Sequence, residues 1–255
     1  MTKRFWIIIM LFISTLATAQ PTMQNDIITL SQDFVYAAKA GGETDSFVNR
    51  FSIIDENDLF LQLNNDNKKK AFFINLYNAY TQVSLKKNPE QYKNRNAFFT
   101  KKQIHLAGYF ISLDKLEHGI LRHSKTKWSL GYIDKLFPGR LERKLRVAKV
   151  DYRIHFALNC GAKSCPAIAY YKPEQLDEQL ALATKTYLED EAVYDLQSNT
   201  LHLPALMSWF RADFGGKRNE IELCRQLHII PADVHPKIQY KHYDWALYLN
   251  NYKTT

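Results

Sequence analysis

The sequence has little cysteine, three residues in 255, and that scarcity excludes a scaffold built on disulfides. It also has no Walker A loop, no dinucleotide-binding G-x-G-x-x-G turn, no HExxH and no GxSxG. Those absences argue against P-loop phosphoryl transfer, nicotinamide redox chemistry, zincin proteolysis and ordinary α/β-hydrolase chemistry. No internal repeat and no low-complexity linker divides the chain. After residue 16 there is no second long apolar run, so no stable transmembrane segment is expected once the first residues are removed.

Those first residues carry a clear pattern. Lys3 and Arg4 precede an apolar run at residues 5–16, and Ala17-Thr18-Ala19 supplies small residues at cleavage spacing. This reads as a secretory signal peptide over residues 1–19, too short for a membrane span. No cysteine follows it closely, so a lipid anchor lacks its acceptor thiol. The protein is expected to be exported, periplasmic or secreted, where the cysteines meet an oxidising medium. The formal charge of +8 favours anionic surroundings. The basic clusters Lys68-Lys69-Lys70 and Lys101-Lys102 are short and separated, however, and read as solvated surface. No specific nucleic-acid binding is expected. The expected partner is a ligand or substrate of the cell envelope, and nothing in the pattern sets an oligomeric state.

Hydrophobic periodicity predicts helices over residues 26–40, 46–54, 57–63, 66–85, 174–190 and 219–230, with Asp66 capping the strongest. Ser112 can cap a further helix carrying Glu117 and His118, and Pro204 opens an aromatic one. Residues 103–112 and 193–203 read as hairpins. Residues 149–159 read as the clearest strand, with Ile154, Phe156 and Leu158 on one face and His155 on the other. Residues 237–249 show strand-like alternation. The expected class is α+β, a mixed, predominantly helical single domain with a small antiparallel or mixed sheet. Residues 20–44 form an N-terminal helical extension.

The chemistry concentrates at residues 151–166, DYRIHFALNCGAKSCP, where His155, Cys160, Cys165 and Pro166 crowd together. The two cysteines are not spaced as a CxxC redox pair. A disulfide across the turn and a nucleophilic thiol are both open. The simplest thiol arrangement uses Cys165 as nucleophile and His118 or His155 as base, oriented by Asn75, Glu117 or Asp244. Adjacent helical residues diverge, so Glu117 is expected to point away from His118. A zinc set of His118, His155, Cys160 and Cys165 lacks the usual ligand spacing, and neither metal nor cofactor is expected. Cys224, beside Leu223 in a helix, reads as a buried inert thiol. Asn75 and Asn78, in a helix rich in apolar residues, read either as ties to neighbouring loops or as polar groups of a cleft.

Several separated motifs together resemble one family. They are FFINLYNA at 72–79, SLDKLEHGILR at 112–122, IHFALNCGAKSCP at 154–166, MSWFRADFGG at 207–216 and YDWALY at 243–248. Their order resembles the domain of unknown function 547, over roughly residues 45–250. The motif positions that match are Asn75, Asn78, Glu117, His118, Arg122, His155, Cys160, Cys165 and Pro166. A remote similarity to papain-like or transglutaminase-like enzymes accompanies the resemblance, although such enzymes start a helix with their cysteine. The sharper functional expectation is a thiol-dependent hydrolase or acyltransferase using Cys165, His118, His155, Glu117 and Asn75. The alternative is a non-catalytic cell-envelope binding protein whose Cys160–Cys165 disulfide is structural, with Asn78, Arg122 and Asp244 in structural or binding roles.

Overall fold

One helix, α4 (Asp66–Lys87), runs through the middle of the molecule. Every residue at positions 70–83 is buried. A helix covered on all sides needs partners all round, and the rest of the fold supplies them. The computed structural model of the protein describes residues 26–253; the expected signal peptide lies outside the described residues.

Helix α1 (Ile27–Ala40) packs along α4 and buries Ile27, Leu30, Phe34 and Ala38. It starts at Asp26, whose carboxylate accepts the Ile28 amide, and stops at Gly41 in the left-handed region. The short helices α2 (Asp45–Ser52) and α3 (Glu56–Gln62) add Phe51 and Leu59 to the same core. The cap of α4 is Asn65 and not Asp66: the Asn65 side chain accepts the Lys68 amide. An amide oxygen caps as well as a carboxylate. Asp66 is thereby free to accept the backbone amides of Ala148 and Lys149.

A 3₁₀ turn (Pro89–Asn94) and α5 (Arg95–Thr100) lead to the antiparallel hairpin of β1 (Ile104–Leu106) and β2 (Tyr109–Ile111). Ser112 then caps a helix by accepting the Lys115 amide. This helix widens to a π-helical turn over Lys115–Leu121, and the Arg122 amide closes on the Glu117 carbonyl. Helix α6 (Arg140–Leu145) follows.

The segment read as the clearest strand is a 3₁₀ helix, Tyr152–Phe156. Asp151 caps it by accepting the Arg153 amide, and Arg153 and Lys70 bind the same carboxylate. Alternation misleads here because Ile154, His155 and Phe156 are all buried, so no solvent face exists to define a period of two. Ile154 joins the larger core around α1 and α4, whereas Phe156 joins a second core. The segment therefore sits where the two cores meet.

That second core is built from α7 (Leu176–Glu191), β3 (Val193–Asp195), β4 (Thr200–Leu203), α8 (Ala205–Trp209) and α9 (Lys217–Gln226). Strands β3 and β4 form the expected hairpin, and β5 (Lys237–Tyr240) joins β4 in parallel. The strand expected over residues 237–249 stops at Tyr240. The chain beyond it covers the cysteine turn, through backbone bonds from Tyr248 to Gly161, Lys163 to Ala246 and Ser164 to Asp244. The result is a predominantly helical single domain with two small sheets, one antiparallel and one mixed. Among the described residues no helix is long and apolar enough to cross a membrane.

Candidate functional site

The π-helical turn, the 3₁₀ segment, the end of α8 and the C-terminal crossing enclose a cavity of about 300 Å³. Its lining combines the aromatic rings Phe99, Trp209, Phe210, Tyr243 and Trp245 with the polar groups Asp114, Glu117, His118, Lys127 and His155. Cys160, Tyr77 and Pro166 also reach it. A mostly apolar hollow with a few convergent polar groups is the usual form of a small-ligand site.

The polar groups rest on a buried ion pair. Arg122, fully buried, donates from Nε to Asp213 at 2.6 Å and from Nη2 at 3.2 Å. Its Nη1 lies 2.9 Å from His118 Nδ1. A guanidinium only donates, so Nδ1 accepts and the hydrogen of neutral His118 is on Nε2. Burial, followed by the Arg122 charge, pushes His118 down to about 3. His155 Nε2 lies 2.8 Å from Asp213, and its ring stacks on Phe210 at 3.9 Å. Burial also lowers the His155 pKa, against the pull of Asp213. Both imidazoles are therefore neutral at physiological pH. Burial alone would raise Asp213, but bonds from His155 and Arg122 outweigh it and keep the carboxylate ionised.

Glu117 and His118 share this cavity, contrary to the expected divergence. Their side chains approach to 3.9 Å, Oε1 to Nδ1. The i+5 closure of the π turn reduces the angle between successive side chains and turns both toward one side. Glu117 is pushed up by burial, and its hydrogen bond from Tyr77 is long, at 3.5 Å.

The cysteine turn leaves Asn159 through Gly161, whose φ of 86° lies in the left-handed region. A Cβ there would also sit 2.8 Å from Leu85 Cδ1. The turn brings Cys160 Sγ and Cys165 Sγ to 2.7 Å, with Tyr243 Oη 3.3 and 3.1 Å from them. All three cysteines are unbonded in this structure. The contact with Cys165 lowers the Cys160 pKa, while burial holds Cys165 well above the ordinary thiol range. Cys160 faces the cavity; Cys165 is buried behind it and does not line it. Among the described residues, no hydrogen bond joins either sulfur to His118 or His155. Of the two, Cys160 is the one that reaches the cavity.

Asn75 is elsewhere. Its amide donates to Ser31 Oγ and the Tyr171 carbonyl and accepts the Tyr171 amide, fixing residues near 171 to α4. Asn78 likewise donates to the Ala157 carbonyl and accepts the Asn159 amide, holding the exit of the 3₁₀ helix just before the cysteines. Asp244 accepts the Ala246 amide and lies 3.7 Å from Lys163, outside the cavity lining. Cys224 is buried in α9 with its pKa pushed up to about 12 by burial. Among the described residues no group of three His, Cys, Asp or Glu side chains could hold a metal ion.

Asp213 was the main residue missed by sequence reasoning. Its signal was present in FRADFGG, since an acid between aromatic residues is costly without a partner. Trp209, Phe210 and Tyr77 were missed because ordinary core aromatics look the same in sequence.

No curated protein and no solved structure matches the chain. A family model described as "Protein of unknown function, DUF547" matches residues 60–188. That span carries α4, Glu117, His118, Arg122, His155 and both cysteines of the turn, whereas Asp213 and the Tyr243–Trp245 wall lie beyond it. Half of the chain is covered, and the chain belongs to the DUF547 family.

Proposed function

We propose that the protein is an exported, non-catalytic binding protein of the cell envelope. Its ligand would occupy the cavity, among the aromatic rings and the Glu117 and His155 groups. Cys160 and Cys165 would be joined as a structural disulfide at the rim. The observation that carries this reading is the pairing of the two sulfurs with each other, 2.7 Å apart and bonded to no histidine. A thiolate engine needs a base within reach, whereas a pair at this separation needs only small movement to reach the ~2.05 Å of a disulfide. An oxidising compartment would favour that bond.

A second reading keeps a thiol-dependent hydrolase or acyltransferase, with Cys160 in place of Cys165. It is favoured by the exposure of Cys160 to the cavity and by its lowered pKa. A remote papain- or transglutaminase-like relationship belongs with this reading. Against it, neither cysteine opens a helix, and both histidines spend a nitrogen on the Arg122–Asp213 pair.

A panel of small cations, anions, sugars and acyl esters separates the two readings. Tryptophan fluorescence of the mature protein detects binding at Trp209 and Trp245, and mass spectrometry of the recovered compound detects turnover. The expected result is a compound that binds and is recovered unchanged. An ester or amide consumed at a rate lost in Cys160→Ser would replace the first reading by the second.

A further inference from the structure

The charges around the cavity do not cancel. Asp213 is paired with Arg122, and Asp114 with Lys127 at 2.9 Å. His118 and His155 are neutral. Glu117 is left over. Its nearest cationic candidate is His118 Nδ1 at 3.9 Å, and that nitrogen already accepts from Arg122. A carboxylate only 15% exposed, with one long hydrogen bond from Tyr77, is an expensive group to keep.

The same cavity is lined by a cluster of three rings. Trp209 and Trp245 lie with centroids 5.5 Å apart and planes at 16°, and Tyr243 touches each, at 4.8 and 4.6 Å. Arg95 lies 4.8 Å over Trp245 and Trp209 stacks on it, so these rings offer a guest apolar surface and not a seat for its charge. A surplus carboxylate and a cluster of aromatic rings lining one small cavity are complementary to one kind of guest.

We propose that the ligand is an organic ammonium ion, its charged head at Glu117 and its apolar part against Trp209, Tyr243 and Trp245. This rests on the reading of the cavity as a binding pocket and adds the class of ligand. The ammonium supplies the donors and the charge that Glu117 lacks. A neutral or anionic guest of the same size would leave that carboxylate uncompensated.

The proposal has a proton signature. The groups facing Glu117 are Asp114, Lys127, His118 and Arg122 around its own helix, Tyr77 from α4, and His155 and Cys160 from residues 155–160. Burial raises the Glu117 pKa, so its protonated form persists to higher pH than that of an ordinary carboxyl group. An alkylammonium stays charged across that range, since ordinary amines titrate near 10. Binding should therefore release protons and weaken as pH falls through the Glu117 transition.

The test uses n-butylammonium, n-butanol and butyrate as probes, by calorimetry on the mature protein in buffers of different ionisation enthalpy. Butylammonium should bind at least about tenfold more tightly than either isostere, the scale of one charge-assisted hydrogen bond. Glu117→Gln should remove that preference. The variant should also melt higher than wild type at neutral pH, because it relieves a buried charge. The pH dependence of the unaltered protein gives the same answer without any variant. Equal or tighter binding of butanol or butyrate would overturn the ammonium class and leave the pocket reading standing. Silence from these three probes and from the wider panel would overturn both.

Discussion

Arg122→Met is expected to destabilise the protein by about 3–5 kcal/mol, the scale for breaking a buried ion pair from one side. Both partners are essentially buried, with side-chain exposures of 0% and 1% for Arg122 and Asp213. Removing the guanidinium strands the Asp213 carboxylate and takes a donor from His118 at the same time. For a domain with a typical stability of about 5–15 kcal/mol, this is a large fraction of the whole. Equilibrium unfolding in urea measures it. The penalty is asymmetric, because the cost lies in the uncompensated charge. The double variant Arg122→Met, Asp213→Leu should therefore be more stable than Arg122→Met alone. If the single substitution cost less than ~1 kcal/mol, the pair would not be the support of the polar groups of the cavity.

The second large effect is loss of stability in acid. A histidine whose folded pKa lies below its unfolded value takes up its proton first in the unfolded chain. For His118 those values are about 3 and 6.5. Its contribution is whole above pH 6.5 and drains away as pH falls from there toward about 3. His155 acts in the same direction. For Asp151, burial raises the pKa, but bonds from Arg153 and Lys70 prevail and bring it to about 2 from 3.8. Its contribution is present above about 3.8 and is lost as pH approaches 2. Glu117, raised by burial, works the opposite way, regaining stability as it is protonated. The histidines dominate from pH 6.5 downward, with a combined effect on the order of several kcal/mol. Unfolding free energy followed from pH 7.5 to 4 should fall steadily below 6.5, and the fall should be shallower in His118→Gln. A flat profile across that range would mean that His118 is protonated in the folded protein.

The sequence made the helical frame legible because α1 carries a one-sided apolar stripe and both α1 and α4 begin at side-chain caps. The hairpins at residues 104–111 and 193–203 were legible from their turns. The strand at residues 149–159 was misread for a physical reason: at the junction of two cores residues 154–159 are all buried, and alternation loses its meaning. The cavity was half legible. Glu117, His118, His155 and Cys160 stood out because polar groups in apolar runs are costly. Their spatial relation did not, because it depends on a π turn and on a long-range acid. Asp213 lies 58 positions from His155 and 91 from Arg122. Asn75 stood out equally and is a structural tie. Cost alone marks a polar residue as necessary; it does not say whether the need is structural or functional.

The central claim is that the cysteine turn is a closed rim and not a resting nucleophile. The direct measurement is a non-reducing peptide map of the protein isolated from the cells that make it, with free thiols trapped at the moment of lysis. The account predicts one peptide pair linked through Cys160 and Cys165, with Cys224 recovered as a free thiol once the protein is unfolded. Quantitative alkylation of Cys160 in the native protein would contradict it.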